Sequence, residues 1–147
     1  SHAEEILDNS RMFQIWFDPD ISKTISKPAS YSDYKLESFP LSKKEKSTVL
    51  TIKGKGSPFK MDSEGIEIYE IYYDDGFHEI NLNSELVYSF FIKKGTLIHE
   101  NQKLVQGAFL KIEKESKLNF ESKNGLEIFK ITSPLRTSYS TYYERFN

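Results

Sequence analysis

Residues Leu86 to Ile131 read LVYSFFIKKGTLIHENQKLVQGAFLKIEKESKLNFESKNGLEIFKI, and this stretch decides the fold class. Its apolar residues fall in short runs or in alternation, and each run is closed by a turn signal. Lys93-Lys94-Gly95, Glu100-Asn101-Gln102 and Ser122 to Gly125 are those signals. No run keeps a 3.6-residue period long enough for a convincing helix. The pattern predicts strands at Leu86 to Ile92, Thr96 to His99, Leu104 to Ile112, Leu118 to Phe120 and Leu126 to Ile131. Gly107 is the expected bulge or close-approach position. Short strands at such regular spacing wrap into an antiparallel sandwich or barrel.

Working outward, Ser47 to Lys53, Ile66 to Tyr73 and Phe77 to Leu82 alternate as further strands. Gly54 to Pro58 is a turn cluster, and Asp74-Asp75-Gly76 is a hairpin signal. Arg11 to Phe17, RMFQIWF, predicts a strand that is apolar on both faces and therefore covered on both sides. Pro19, flanked by Asp18 and Asp20, ends it. Ile21 to Leu41 is Ser-rich and broken by Pro28 and Pro40, so it reads as an extended linker with short strand character around Tyr34 to Phe39. Lys43 to Lys46 reads as a solvated turn. The expected organisation is a terminal strand unit over 1–20, a linker over 21–46, a barrel over 47–135 and an aromatic tail over 136–147. That tail carries Tyr139, Tyr142, Tyr143 and Phe146, enough to pack back on the domain or cover a neighbour.

A chain of 147 residues can bury one real core without a staple. Its 20 basic and 22 acidic residues give no electrostatic footprint for nucleic acid. Without cysteine there is no disulfide framework and no thiolate chemistry, which fits a reducing, cytoplasmic setting. No apolar run approaches the roughly 20 residues needed to span a bilayer, so no membrane partner is expected. Gly54-Lys55-Gly56 lacks the spacing of a phosphate loop, and no serine sits in a nucleophile elbow.

The centre of Arg11 to Pro19, MFQIWFDP, is followed by a Pro-containing stretch and then by a strand with GKGSPF after it. This arrangement resembles the junction and second domain of the pirin-like bicupin proteins. Leu86 to Gly95 and Leu126 to Leu135 are similar to that domain's strand-and-turn and closing strand. The resemblance implies an all-β, cupin-like double-stranded β-helix, a jelly-roll barrel or sandwich, preceded by the end of a first cupin domain. The family's metal centre lies in the first barrel, on a His-x-His and a later His-x-Glu pair; the sequence before His2, with the first pair and most of that barrel, has no counterpart here, so the resemblance implies a C-terminal fragment or truncated reading frame. His2-Ala3-Glu4 matches the second pair. Such a shell of three histidines and one carboxylate suits Fe(II) or another borderline cation, and some relatives use it for quercetin dioxygenation while others act in nuclear regulation. The implied role here is non-catalytic, structural or interaction-based. The alternatives are a metal-dependent dioxygenase of the quercetinase kind and a small-ligand-binding barrel.

Within the barrel, His78-Glu79 and His99-Glu100 cannot each present both members to one cavity, because adjacent strand residues face opposite sides. A metal site would need His78 and His99 to converge with Glu70 or Glu113. Tyr69, Tyr73, Tyr88 and Phe90 are read as core or as the lining of a hollow barrel. No catalytic, metal-binding or cofactor-binding residue is assigned, and no cofactor is expected. The expected partner is a second copy of the chain, paired through Arg11 to Phe17, or the missing first cupin domain.

Overall fold

The structure is a computed structural model that describes residues 5–10, 12–141 and 144–145. Eight strands make it up: β1 (Leu41–Lys44), β2 (Ser47–Lys53), β3 (Glu67–Tyr73), β4 (Gly76–Asn81), β5 (Leu86–His99), β6 (Gln102–Val105), β7 (Phe109–Glu113) and β8 (Lys117–Pro134). Every pairing is antiparallel. β8 is the central strand, with β3 and β4 on one side and β5 on the other. β2 and then β1 extend the sheet beyond β3, while β6 and β7 both pair with β5. A single helical turn, α1 (Ile21–Thr24), is capped by the Asp20 carboxylate, which accepts from the Ser22 N–H.

The turn signals of the sequence take on a different role here. Asp74-Asp75-Gly76 does not close a hairpin, because β3 and β4 pair in succession with one strand, Tyr73 opposite Leu126 and Gly76 opposite Ser122. Lys93-Lys94-Gly95 lies inside the 14-residue β5, and Ser122 to Gly125 lies inside the 18-residue β8. The expected strand Leu104 to Ile112 is split at Gly107 into β6 and β7, which run on along the same partner. Four neighbouring lines of chain therefore bend together along one transverse crease. Glycine serves a sharp bend as well as a reversal, since both need positive φ. Gly76, Gly95, Gly107 and Gly125 all have it. Glu100 and Asn101, also at positive φ, make the true two-residue reversal between β5 and β6.

The crease folds the sheet over one core. Ile71, Phe90, Ile92, Ile112, Leu126 and Ile128 come from the larger half, and Leu97, Leu118 and Phe120 from the smaller. Alternation sets which residues enter. Along β8, Leu118, Phe120, Ser122, Leu126, Ile128 and Thr132 are buried.

Met12 to Phe17 is not a strand. Phe13 rests on the outer sheet surface, its ring centroid 4.9 Å from that of Phe91 and 5.1 Å from that of Phe129, while Trp16 is 81% exposed. The segment meets one sheet face, so an apolar pattern made for two covered faces is met on one side. Tyr34 to Phe39 contains a 3-10 turn, Leu36–Ser38, in place of a strand. Leu41–Lys44, in the stretch read as linker and turn, is β1. The tail returns to the domain: the Tyr139 hydroxyl donates to the Asp18 carbonyl, and Ser138 bonds the Glu64 carboxylate. Tyr142, Tyr143 and Phe146 lie outside the described residues, as do His2 and Glu4.

Candidate functional site

The inward side of the larger half-sheet changes character along β8. Leu126 and Ile128 are fully buried apolar residues, but the next inward position is Lys130. Register places Tyr69 of β3 and Phe90 of β5 directly across from it. The Lys130 ammonium lies 4.7 Å from the Tyr69 ring centroid and 5.9 Å from that of Tyr88. Ring faces attract a cation electrostatically, and more strongly where water is scarce. Burial pushes the Lys130 amine below its ordinary pKa; attraction from Glu67 opposes this and repulsion from Lys44 adds to it.

Lys130 opens onto a cavity of about 770 Å³ whose walls include Tyr69, Tyr73, Tyr88, His78, Ile80 and Val49, with Lys44 and Lys46 on the β1–β2 side. Tyr69 donates from its hydroxyl to the Glu67 carboxylate at 2.6 Å, and desolvation followed by that bond raises its pKa strongly. Tyr73 is pushed up to about 12 by burial alone. At neutral pH Tyr69 and Tyr73 are therefore neutral phenols beside the Lys130 amine.

The sequence-predicted ligands do not converge. His78 points inward, stacked on Phe120 at 5.2 Å and edge-on to Tyr73 at 5.0 Å, with Nε2 2.7 Å from the Asp74 carbonyl oxygen. His99 sits at the end of β5 with Nδ1 2.7 Å from the Asn119 carbonyl oxygen. It shares a second hollow with Glu113, which is paired to Lys111 at 3.0 Å. Glu70 is on the outer face, paired with Lys93. Among the described residues no group of three or more His, Cys, Asp or Glu is placed to hold a metal ion.

Tyr69, Tyr73 and Tyr88 do line the cavity, whereas Phe90 is wholly buried core. Lys130 is the residue that sequence reasoning missed. The available signal was its phase: a lysine sharing the parity of Leu126 and Ile128 must face inward.

A creased antiparallel sheet closed over one core, with little helix and an inward-facing mouth, is a cupin-like double-stranded β-helix. Solved structures with this fold include GK1651 from Geobacillus kaustophilus, at a TM-score of 0.62 and 17% identity over 81% of this chain and 52% of that one. Quercetin 2,3-dioxygenase from Acinetobacter baumannii gives 0.64 and 13% over 79% of this chain and 42% of that one. Ectoine synthase from P. lautus gives 0.56 and 9% over 71% and 78%. The chain thus spans about half, or less, of the first two. No protein-family profile matches the sequence, and no curated protein matches it. No helix among the described residues is long and apolar enough to cross a membrane.

Proposed function

We propose that the chain is a non-catalytic, cupin-like domain of the pirin type, acting in the cytoplasm as an interaction module that pairs with a second copy of itself. The observation that carries this reading is a row of outward side chains in direct register across six strands. Leu41, Leu50, Glu70, Phe129, Phe91 and Phe109 follow one another from β1 to β7. Five of the six are apolar; Leu41 is 62% exposed and Phe109 61% exposed. The row is interrupted at Glu70, which pairs with Lys93, and Phe13 rests on Phe91 and Phe129, so its exposed apolar ends, Leu41 and Phe109, are what mark a docking surface, and a self-complementary patch suits a two-fold dimer. This chain covers 52% of GK1651 and 42% of the quercetin dioxygenase, so each of those proteins has room for a further unit beside the matched one, as the pirin-type reading requires.

Light scattering behind size-exclusion chromatography tests it. A dimer at micromolar concentration is expected, converted to monomer by Leu41→Lys with Phe109→Lys. A monomeric wild type overturns the reading. The quercetinase alternative draws no support from the described residues, since His78 and His99 each engage a backbone carbonyl in separate hollows. Stoichiometric metal lost on substituting either histidine would revive it.

A further inference from the structure

Lys130 is hard to explain as scaffold. Every other inward position of the row to which it belongs is apolar, aromatic or a threonine: Thr51 and Tyr69 on one side, Phe90 and Leu110 on the other. A methionine or leucine would fill the position without desolvating an ammonium. Among the described residues Lys130 makes no ion pair. Its partners are the faces of Tyr69 and Tyr88, while the Glu67 carboxylate is already engaged by the Tyr69 hydroxyl. The cation is held at the wall of a cavity large enough for a small ligand, with apolar and aromatic surface from Val49, Ile80, Leu82 and Tyr73 around it.

We propose that this cavity binds a small organic acid with a flat apolar body, its single carboxylate resting on the Lys130 ammonium. One inward amine matches one negative charge. A phosphate group would call for several converging donors, such as an arginine fork or a nest of backbone N–H groups, and among the described residues no arginine lines the cavity. The tyrosine rings and the aliphatic side chains would hold the body of the acid. Lys44 and Lys46 at the β1–β2 turn would draw the anion inward, against Glu45 and Glu79. This site is inside the barrel and independent of the outer face used for pairing, so either proposal can fail alone.

Isothermal titration of the full chain with benzoate, phenylacetate and 4-hydroxybenzoate tests it, with benzamide as the neutral isostere and inorganic phosphate as the competing class. At least one of the acids is expected to bind, benzamide at least tenfold more weakly, and phosphate not measurably. Lys130→Met should weaken the acid by roughly 30-fold or more, the usual cost of removing one partner of a desolvated charge pair. Lys46→Ala, at the rim, should change affinity by only a few-fold. The acid-to-amide ratio needs only wild-type protein, so it holds even if the Lys130 variant fails to fold. Binding of none of the acids, equal binding of benzamide, tighter binding of phosphate, or unchanged affinity in a folded Lys130→Met protein would each overturn the proposal.

Discussion

Gly95 of β5 lies against Leu126 of β8 so closely that a Cβ at position 95 would fall 2.7 Å from the Leu126 Cα and 2.8 Å from the Gly125 carbonyl oxygen. These atoms are backbone of the central strand and cannot rotate aside. At φ +77 the position also disfavours any L side chain. Gly95→Ala should therefore combine left-handed strain with forced separation of the strands, costing about 3 kcal/mol or more. Gly107 is the matched control, because it too has positive φ but meets nothing within 4 Å of a built Cβ. Gly107→Ala should cost about 1 kcal/mol, from conformation alone. Chemical denaturation of both variants checks this, and equal losses would refute the close approach.

The same crease depends on Asp75. Its carboxylate accepts from the Asn124 N–H at 3.1 Å and the Gly125 N–H at 2.9 Å, where β8 passes through two positive-φ residues and leaves its ladder. Asp75→Ala should destabilise by about 1–2 kcal/mol, a moderate value because the site is exposed. Asp75→Asn, with one acceptor oxygen remaining, should fall between alanine and wild type. A neutral alanine variant in the same denaturation assay would mean that water replaces the carboxylate without loss.

These two contacts explain what was legible in the sequence. Alternation located nearly all the barrel strands, because burial on one face forces period two wherever Ile, Leu, Phe and Tyr recur. Pairing was harder to read. Asp75, Gly95, Gly107 and Asn124-Gly125 carry the residue types of reversals, yet a residue type reports only the local φ, and a bend shared by four neighbouring lines of chain needs the same φ as a turn. Local chemistry cannot say whether the next segment returns along its predecessor or continues along a third strand. The histidines were conspicuous through rarity, which carries no geometry. Lys130 was inconspicuous among twenty basic residues although its strand phase placed it inside.

Docking of the N-terminal segment on the outer face can be measured as a coupling. Phe13 touches both Phe91 and Phe129, the second edge-on at 65°. A double-mutant cycle with Phe13→Ala and Phe129→Ala should return an interaction of about 0.5–1.5 kcal/mol, as for other aromatic pairs. Additive single-mutant losses would show that Met12 to Phe17 leaves the sheet in solution, and the whole outer row would then be open to a partner.

Alkaline pH should loosen the core through Tyr73. Burial raises its pKa to about 12, above the ordinary value of 10.0, so the folded state holds the phenolic proton more tightly than the unfolded chain. That stabilisation is complete below pH 10 and is lost as pH rises towards 12, on the order of 2 kcal/mol across the window. Tyr69 and Tyr139 shift in the same direction and add to the loss. Tyr73→Phe, which keeps the ring against His78 and Phe120, should show a flatter stability profile above pH 10. Parallel profiles for the two proteins would place Tyr73 in a wetter setting than its burial indicates.

Lys130 gives the opposite slope. Its pKa is lowered below 10.5, first by burial and then by Lys44, with attraction from Glu67 on β3 partly offsetting both. Tyr69 on β3 and Tyr88 on β5 face it with their rings. In that window the unfolded chain binds the proton more tightly than the folded one, so protonation disfavours the native state and the penalty fades as pH rises through the folded-state pKa. Methionine at 130 does not titrate. The melting temperature of Lys130→Met minus that of wild type should therefore be largest near neutral pH and shrink steadily towards pH 10. The slope is the test, because packing differences between lysine and methionine shift the difference by a constant amount without tilting it. A carboxylate ligand on the amine should reverse the tilt for wild type, since a bound anion favours the charged lysine. Wild-type melting curves with and without whichever of the three acids binds, compared at neutral and alkaline pH, would then show stabilisation that disappears as Lys130 loses its proton; stabilisation of equal size at both would mean the acid sits elsewhere.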